Sequence, residues 1–362
     1  PVPWCPGVDR CLRRRRLPPK NDVLDGIEVT HPRFPYLPGL LTHRNHVFYR
    51  RAVRDTFRRT VHLWQPGHIS IGFGFPDAAA VYPLAQEADI PYSVQVLGSD
   101  FRLRMRQSRF HGLITDALEQ APVIFCPGQA LKRDMVKAGV NEDKITAFNN
   151  GVDHAVFFAP EGEKPAPGRT VLFVGNLVRV KGVDRLLHAW KQVQANIDRD
   201  SGTPALHLVG GGPLRQKLEK MTHELGISDS VQFVGSTPHN EIPDRMRDAH
   251  CLVLPSRSEG MPNVVLEALA CGTPAIATDV GEIPYIIEDG ATGFIVPQNG
   301  KGDELENDKA FADALAERLT KALQKTWPPP AIARSVRRFT WQAAAETVAG
   351  TIQNELARKR TS

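Results

Sequence analysis

Short apolar runs alternate with longer amphipathic segments along the second half of the chain. Apolar residues make up almost all of the runs at 171–174, 206–209, 231–234 and 251–254. Runs of this length between turn residues are typical of strands that are buried on both faces of a parallel sheet. Further strands are predicted at 275–277 and 294–296, and helices at 183–197, 214–225, 242–249, 311–324 and 341–358. The alternation therefore predicts an α/β unit built on a doubly wound parallel sheet.

The first half of the chain repeats this alternation less regularly. Turn residues at Asp25 and Gly26 precede a predicted strand at 27–30. Further strands are predicted at 69–74, 92–97, 123–126 and 144–148, and helices at 43–60, 78–87 and 129–138. The helix at 43–60 has an apolar side and a basic side with Arg50, Arg54 and Arg58. Such a helix can lie on an anionic membrane, or it can be an ordinary helix with a solvated face.

A polar segment with prolines, from 161 to 169, separates the two halves and marks the predicted domain boundary. We expect an N-terminal domain over 1–160, a C-terminal domain over 161–335, and a last helical segment over 336–362. The length of 362 residues is that of two ordinary domains. Because the chain begins at Pro1 without a methionine, we expect an N-terminal segment to be missing.

Composition and charge narrow the classes of function. No run of about eighteen apolar residues exists, so no membrane-spanning helix is expected. The formal net charge is +7 over residues 1–150 and −2 over residues 151–362, so an acidic partner or surface should meet the first half. No nucleic acid is expected as a partner. The cysteines are scattered without metal-ligand spacing, which is typical of a reduced, cytoplasmic protein; they are Cys5, Cys11, Cys126, Cys251 and Cys271.

The most specific feature of the sequence runs from 255 to 272 and reads P-S-R-S-E-G-M-P-N-V-V-L-E-A-L-A-C-G. It predicts a tight loop after the strand at 251–254 and then a helix that begins at Pro262 and stops at Gly272. Glu259 lies in the loop, and Glu267 lies about two turns along the helix. Free N–H groups at the start of such a helix bind anions. For either glutamate alone, the alternative is a solvated acid on a surface helix.

This string resembles the glutamate-pair motif of the retaining glycosyltransferases of GT-B family 4, which includes many bacterial polysaccharide enzymes. The resemblance implies two Rossmann-like domains that face a cleft, with the last helix crossing back onto the first domain. It also implies a nucleoside diphosphate sugar as donor, with Glu259 beside the sugar and Glu267 on the ribose. An N-G-V-D string at 150–153 is similar to the family's signature at the domain junction. Further donor-binding candidates between the two glutamates are Gly260, Met261, Pro262 and Asn263.

Positive charge for the donor diphosphate is expected from the loop that follows the strand at 171–174. Its G-x-L-x-x-x-K-G string resembles the phosphate loop of the family and makes Lys181 the leading cation. Asn176 stands where the family usually has an arginine, and Arg179 is the candidate replacement. By resemblance, the segment from Gly235 to Pro238, after the strand at 231–234, is a candidate for contact with the base.

Acceptor recognition is predicted in the first half, where Gly98 to Asp100 forms an exit loop after a strand. By resemblance Asp100 faces the acceptor, and Leu97 occupies a place where a histidine often stands. Asp100 is therefore the candidate to orient or deprotonate the acceptor hydroxyl. The alternative is an aspartate that caps its own loop. Four arginines follow that either attract an acidic acceptor or form the solvated start of a helix, namely Arg102, Arg104, Arg106 and Arg109.

Two other kinds of site are not indicated. A dinucleotide fingerprint at the glycine run 210–212 would need a glycine where Arg215 stands, and an acidic residue where Gly235 and Ser236 end the next strand. The glycines are expected instead to let the backbone approach the cleft, or simply to turn the chain. The twelve histidines lack zinc-site spacing, and the D-x-D triplet at 198–200 lies in a polar loop. We expect no metal and no bound cofactor.

Together these features indicate a glycosyltransferase of the EC 2.4 class that acts with retention on a saccharide or lipid-linked acceptor. We expect it in the cytoplasm, either free or peripherally bound to the inner face of the membrane. The alternative is a catalytically weak nucleotide-sugar sensor or membrane adaptor of the same fold. The missing arginine at Asn176 favours that alternative, whereas the intact glutamate pair argues against it.

Overall fold

The chain divides into two compact units in a computed structural model. Unit 1 comprises Pro1–Phe148 and Thr347–Ser362, and unit 2 comprises Asn149–Glu346. The structure describes residues 2–4, 19–35, 42–105, 107–159, 169–197, 202–298 and 304–361. Several features of the sequence lie outside these residues, namely Cys5, Cys11, Arg106, the basic run at 13–16, most of the predicted linker, and the D-x-D triplet at 198–200.

Unit 1 contains a four-stranded parallel sheet, and two separate pairs of short strands precede it in the sequence. The sheet order is β5-β6-β7-β8. Strand β1 pairs with β4 in parallel, and β2 pairs with β3 as an antiparallel hairpin that turns at Asp25 and Gly26, both at positive φ. The strands are β1 (Val2–Trp4), β2 (Asn21–Leu24), β3 (Ile27–Thr30), β4 (Arg33–Pro35), β5 (Ile69–Gly72), β6 (Tyr92–Gln95), β7 (Val123–Pro127) and β8 (Ile145–Phe148).

The helices of unit 1 cover the buried strands with their apolar sides. Helix α1 keeps Tyr49 and Val53 buried and extends four residues beyond the predicted end at residue 60. The helices are α1 (Asn45–Trp64), α2 (Ala79–Glu87), α3 (Ser99–Met105), α4 (Ser108–Gln120) and α5 (Gln129–Lys137).

The predicted exit loop at Gly98 to Asp100 is wrong in one respect, because helix α3 already begins at Ser99. The N–H of Arg102 donates to the carbonyl of Gly98 at 2.7 Å, which closes the first turn. Phe101 is buried and anchors this short helix on the core of unit 1. Asp100 therefore lies in the first turn of a helix and not in an open loop.

Unit 2 contains a six-stranded sheet in the order β11-β10-β9-β12-β13-β14, with every neighbouring pair parallel. In this order the chain first builds outward from β9 and then reverses on the other side of it, as in doubly wound folds. The central strands are buried on both faces, which explains their almost purely apolar sequences. The strands are β9 (Thr170–Val174), β10 (Ala205–Val209), β11 (Val231–Gly235), β12 (Cys251–Leu254), β13 (Ala275–Thr278) and β14 (Gly293–Val296).

Helices of unit 2 pack on this sheet around the fully buried Phe173, Trp190 and Phe311. They are α6 (Val183–Asn196), α7 (Arg215–Leu225), α8 (Ile242–Asp248), α9 (Asn263–Ala270), α10 (Ile283–Ile286), α11 (Glu304–Gln324) and α12 (Pro329–Ser335), and the chain then continues into α13 (Trp341–Thr361). The last helix begins in unit 2, and its residues from Thr347 onward group with unit 1. The predicted fold class, two parallel-sheet α/β units, is confirmed.

Helix α9 begins one residue later than predicted. Pro262 has extended backbone angles (φ −79°, ψ 102°) and is the N-cap, and its carbonyl accepts the first hydrogen bond, from the N–H of Val265 at 3.1 Å. A proline ring fixes φ but leaves ψ open, so the same residue suits either position. The predicted stop at Gly272 is confirmed, because Gly272 has φ +73° and its N–H donates to the carbonyl of Leu269.

Candidate active site

A cavity of about 510 Å³ lies in unit 2 at the carboxyl edge of its sheet. Loops that follow β9, β10, β11 and β12 form its walls, so it straddles the place where the strand order reverses. Open α/β sheets bind ligands at this place, and the volume suits a small molecule. The described residues that line it are Val174, Gly175, Asn176, Lys181, Val209, Gly210, Gly211, Ser236, Thr237, His239, Ile242, Glu259, Met261, Pro262, Asn263 and Val264.

An ion pair between Lys181 and Glu259 forms one end of the cavity. The Nζ atom of Lys181 lies 2.7 Å from Oε1 of Glu259, and the two side chains are 25% and 11% exposed. The Oγ atom of Ser256, which is completely buried, donates to the same Oε1 at 2.5 Å. A charge-assisted hydrogen bond and a hydroxyl thus fix one carboxylate oxygen in a largely desolvated place.

Glu267, on α9, has a different environment. Its side chain is 18% exposed, and its ion-pair partner is Nε2 of His239 at the long distance of 3.9 Å. Burial raises the pKa of the Glu267 carboxyl above its ordinary value, and His239 offsets only part of that effect. His239 is itself 74% exposed, and its ring lies edge-on against Phe157. This carboxyl is therefore suited to hydrogen bonding with a neutral hydroxyl group.

The glycine run at 210–212 brings two loops of the cavity wall into backbone contact. Gly210 has φ +134°, and a Cβ atom there would come within 2.0 Å of the carbonyl oxygen of Gly175. The N–H of Leu177 donates to the carbonyl of Gly211 at 2.8 Å. The glycines therefore let this loop pack against the backbone of the Lys181 loop.

Asn150, in the N-G-V-D segment, holds the start of α9 in place. Its Nδ2 donates to Oδ1 of Asn263 at 2.8 Å, and its backbone N–H donates to the sulfur of Met261 at 2.9 Å. The N–H of Glu282 donates to the carbonyl of Gly260 at 2.9 Å from the opposite side. These contacts fix the loop that carries Glu259 and leave the N-terminal end of α9 facing the cavity.

The structure brings six of the predicted site residues together around the cavity, whereas Glu267 and Gly260 are not among the described residues that line it. Asn176, Lys181, Glu259 and the residues from Met261 to Asn263 all line the cavity. Gly235 ends β11 directly before the lining residue Ser236. Arg179 is exposed and is not among the described lining residues.

The predicted acceptor residues belong to unit 1, and the arginines there have partners within the protein. Arg102 pairs with Asp134 at 2.7 Å. The guanidinium groups of Arg104 and Arg109 stack on the ring of Phe110 at about 5 Å. Their contacts favour the structural alternative over attraction of an acceptor. The role of Asp100 stays a prediction.

Ser236 and Thr237, which belong to the candidate segment for the base, line the cavity. Two further polar residues of this region, His239 and Ser256, were not predicted. Ser256 had a signal, because a serine between a buried strand and a charged loop is placed to donate to that loop. His239 had none, since nothing in the pattern brings its loop next to Glu267.

The described residues contain neither a candidate metal site nor a helix that could span a membrane. Within the described ranges, no group of three or more histidine, cysteine, aspartate or glutamate residues could hold a metal ion. Among the helices that the structure describes, none is both long enough and apolar enough to cross a membrane.

Two family models match consecutive parts of the chain. The model for glycosyl transferases group 1 matches residues 157–326, and that for glycosyltransferase family 4 matches residues 4–156. Among curated proteins, the chain is 28% identical over 334 residues to TuaC of Bacillus subtilis (strain 168), a glycosyltransferase whose name provisionally assigns it to teichuronic acid biosynthesis. This match covers 89% of the chain and 78% of TuaC.

Other relatives match less of their own length. A D-inositol 3-phosphate glycosyltransferase of Acidothermus cellulolyticus is 28% identical over 236 residues, which are 62% of this chain and about half, 51%, of that relative. Among solved structures, Anabaena Alr3699/HepE in complex with UDP and glucose superposes with a TM-score of 0.65 at 18% identity. The superposition covers 89% of this chain and 85% of HepE, and at this identity it concerns the fold.

Proposed function

This chain belongs to the glycosyltransferases of group 1 and family 4, and we propose that it transfers a sugar from a nucleoside diphosphate sugar to a hydroxyl group with retention of configuration. The single observation that carries the proposal is the Lys181–Glu259 ion pair in a cavity at the carboxyl edge of the unit 2 sheet. The fold is that of GT-B enzymes, and HepE, which shares it, was solved with UDP and glucose.

Lys181 and the start of α9 act on the leaving diphosphate. Negative charge builds on the diphosphate as its bond to the sugar breaks, and a preorganised cation and helix N-terminus stabilise that charge. Glu259 lies beside them and takes the position next to the donor sugar. Since Lys181 is already ion-paired, it is held in place before the donor arrives.

Glu267 and the loop after β11 bind the nucleoside. The buried carboxyl of Glu267 accepts hydrogen bonds from ribose hydroxyls, which carry no charge. Gly235 and the polar residues that follow it border the base. No metal ion takes part, because Lys181 and the helix supply the positive charge.

The acceptor is a saccharide or a lipid-linked saccharide precursor. Asp100 orients or deprotonates the attacking hydroxyl, and the attack occurs on the face that the diphosphate leaves. The name of TuaC supports a polymer of the cell surface as the product. The exposed arginines of α1, among them Arg51, Arg54 and Arg58, bring the enzyme to the anionic inner face of the membrane.

The proposal is tested by a screen of UDP-, GDP- and ADP-sugars for thermal stabilisation and for slow donor hydrolysis. A ligand that binds only the folded state raises the apparent stability, and at a given concentration the increase grows with the logarithm of its affinity. One donor class should stabilise the protein and be hydrolysed, and K181A should lose hydrolysis. The matched control is K321A, since Lys321 forms a solvent-exposed pair with Glu317. A protein that responds to no nucleotide sugar or nucleoside diphosphate contradicts the proposal.

One observation favours a second candidate function, a nucleotide-sugar sensor of the same fold. Asn176 lines the cavity where the family usually has arginine, so the diphosphate meets one cation fewer. Tight donor binding without any turnover would select this candidate.

A further inference from the structure

Directly behind the Lys181–Glu259 pair lies a cluster of four charged side chains, Asp184, Arg185, Arg257 and Asp308, which we name the arginine clasp. Arg257 donates two parallel hydrogen bonds to Asp184, from Nη1 to Oδ1 at 2.8 Å and from Nη2 to Oδ2 at 2.9 Å. Its Nη2 also donates to Oδ2 of Asp308 at 2.5 Å. Arg185 lies 3.6 Å from the other oxygen of Asp308. Helices α6 and α11 thus converge on one arginine of the glutamate loop.

The same arginines bond to the backbone of both segments that carry the ion pair. Nη1 and the backbone N–H of Arg257 donate to the carbonyls of Arg179 and Val180, at 2.9 Å and 2.8 Å. Nη2 of Arg185 donates to the carbonyl of Pro255 at 2.7 Å. These bonds tie the turn that ends in Lys181 to the loop that leads to Glu259.

Backbone packing leaves little freedom between these two segments. Gly182 has φ +67°, and a Cβ atom there would come within 2.0 Å of the carbonyl oxygen of Pro255. The close approach explains why glycine follows Lys181. It also means that a small shift of either segment changes the position of Lys181 relative to Glu259.

Arg185 is the buried member of the clasp, and the other three side chains are partly exposed. Arg185 is only 3% exposed, and its guanidinium lies 3.8 Å above the centre of the Phe311 ring. Burial and the nearby Arg257 lower the pKa of Arg185 to about 10. Buried ion pairs contribute little net stability compared with apolar residues of the same size, whereas they fix geometry strongly.

We propose that Arg257 is a positioning residue of the donor site, which acts through Asp184 and Asp308 to keep the Lys181 turn in register with the Glu259 loop. The inference rests on the proposed role of Lys181 with the donor diphosphate. Arg257 is not among the described residues that line the cavity, so it acts through Lys181 and not by contact with the donor.

A double-mutant cycle on the binding of a nucleoside diphosphate separates positioning from general stability. Calorimetry with UDP, GDP and ADP first identifies the diphosphate that binds the wild type. R257A should then weaken its binding about tenfold in the wild type and less than about twofold in K181A, where no cation remains to be positioned. Equal losses in both backgrounds would mean a merely structural role and would overturn the proposal.

R257K serves where R257A does not fold. Lysine keeps the charge but cannot form two parallel bonds, so R257K should lose a smaller part of the affinity, again only when Lys181 is present. K321A is the surface control and should bind as the wild type does. If the wild type binds none of the three diphosphates, both the proposed function and the proposed role of Arg257 are refuted. If it binds one but R257A and R257K bind equally well, only the clasp is refuted.

Discussion

At one end of the glutamate motif, Glu259 shares one oxygen between the ammonium of Lys181 and the hydroxyl of Ser256. At the other end of the motif, Glu267 is almost as desolvated but is not among the described residues that line the cavity, and its ion-pair partner is a largely exposed histidine at 3.9 Å. Both are glutamates of one short motif, eight positions apart. Glu259 is therefore a carboxylate held in an ion pair, whereas Glu267 is a carboxyl whose pKa is raised by burial.

Under the proposed function, the difference lets one motif serve two parts of a donor. Charge develops on the sugar and the diphosphate as the bond between them breaks. The end of the motif with Glu259 therefore needs fixed charges at fixed distances. A ribose changes nothing during the reaction and offers only hydroxyls, so a poorly solvated carboxyl without a strong cation suffices. Mutations at the first end should therefore affect turnover, and mutations at the second end should affect binding.

The largest effect is expected from E259Q. Glutamine removes the ion pair but keeps the shape, so Lys181 loses its partner and the sugar loses the carboxylate. We expect kcat for donor hydrolysis or transfer to fall about 10²–10³-fold, a loss typical of removing one preorganised electrostatic contact. The exposed pair of Lys321 and Glu317 supplies the control E317Q, which should leave kcat unchanged. Wild-type turnover in E259Q would remove the proposed difference between the two ends.

E267A should give the next largest effect, and it should appear in KM. We expect the donor KM to rise about tenfold with kcat nearly constant, because a lost ribose contact weakens ground state and transition state alike. E267Q should raise KM less, since an amide oxygen still accepts a hydrogen bond from a hydroxyl. Steady-state kinetics with varied donor measures both. A fall in kcat equal to that of E259Q would show that the two glutamates act together.

H239Q should have a smaller effect on donor binding near Glu267. His239 is largely exposed and forms a long contact to Glu267, so its removal should change the donor KM by no more than about threefold. In the same assay, the double variant H239Q/E267Q should have a donor KM no higher than that of E267Q alone. Additive losses would mean that His239 touches the donor independently of Glu267.

The smallest effect concerns stability against pH. A carboxyl with a raised pKa in the folded state stabilises the protein at low pH, and this contribution is lost as pH rises through the folded-state pKa. For Glu267 the loss begins above its ordinary value of 4.5. We therefore expect E267Q to gain unfolding free energy relative to the wild type as pH increases from about 4 to about 8. Urea titrations across this range measure the gain, and a pH-independent difference would contradict the raised pKa.

The sheet of unit 2 was predictable because its central strands are buried on both faces and carry almost no polar residue. Resemblance placed Lys181 and Glu259 in one donor site, 78 positions apart. Their direct bond was not foreseen, since no pattern reports the distance between side chains of separate loops. The start of α9 was predicted one residue early because proline leaves ψ undetermined.

Unit 1 was harder to predict, and so was the arginine clasp. Gly98 to Asp100 contains typical loop residues, yet burial of Phe101 extends a helix over two of them. No sequence pattern pointed to Arg257 as more than a residue of the motif, and Asp308 lies before the helix predicted at 311–324. Only their convergence in space, from segments 51 positions apart, gives them a role.

Backbone contact between Gly175 and Gly210 has a consequence for the evolution of donor choice. Where the cavity wall consists of main-chain atoms, a point mutation has no side chain to exchange, and an added one collides with the opposite loop. Under the proposed function, we expect variation in donor preference at lining positions that carry polar side chains away from the ion pair, namely Asn176, Ser236, Thr237, His239 and Asn263. A library restricted to these five positions would test that expectation.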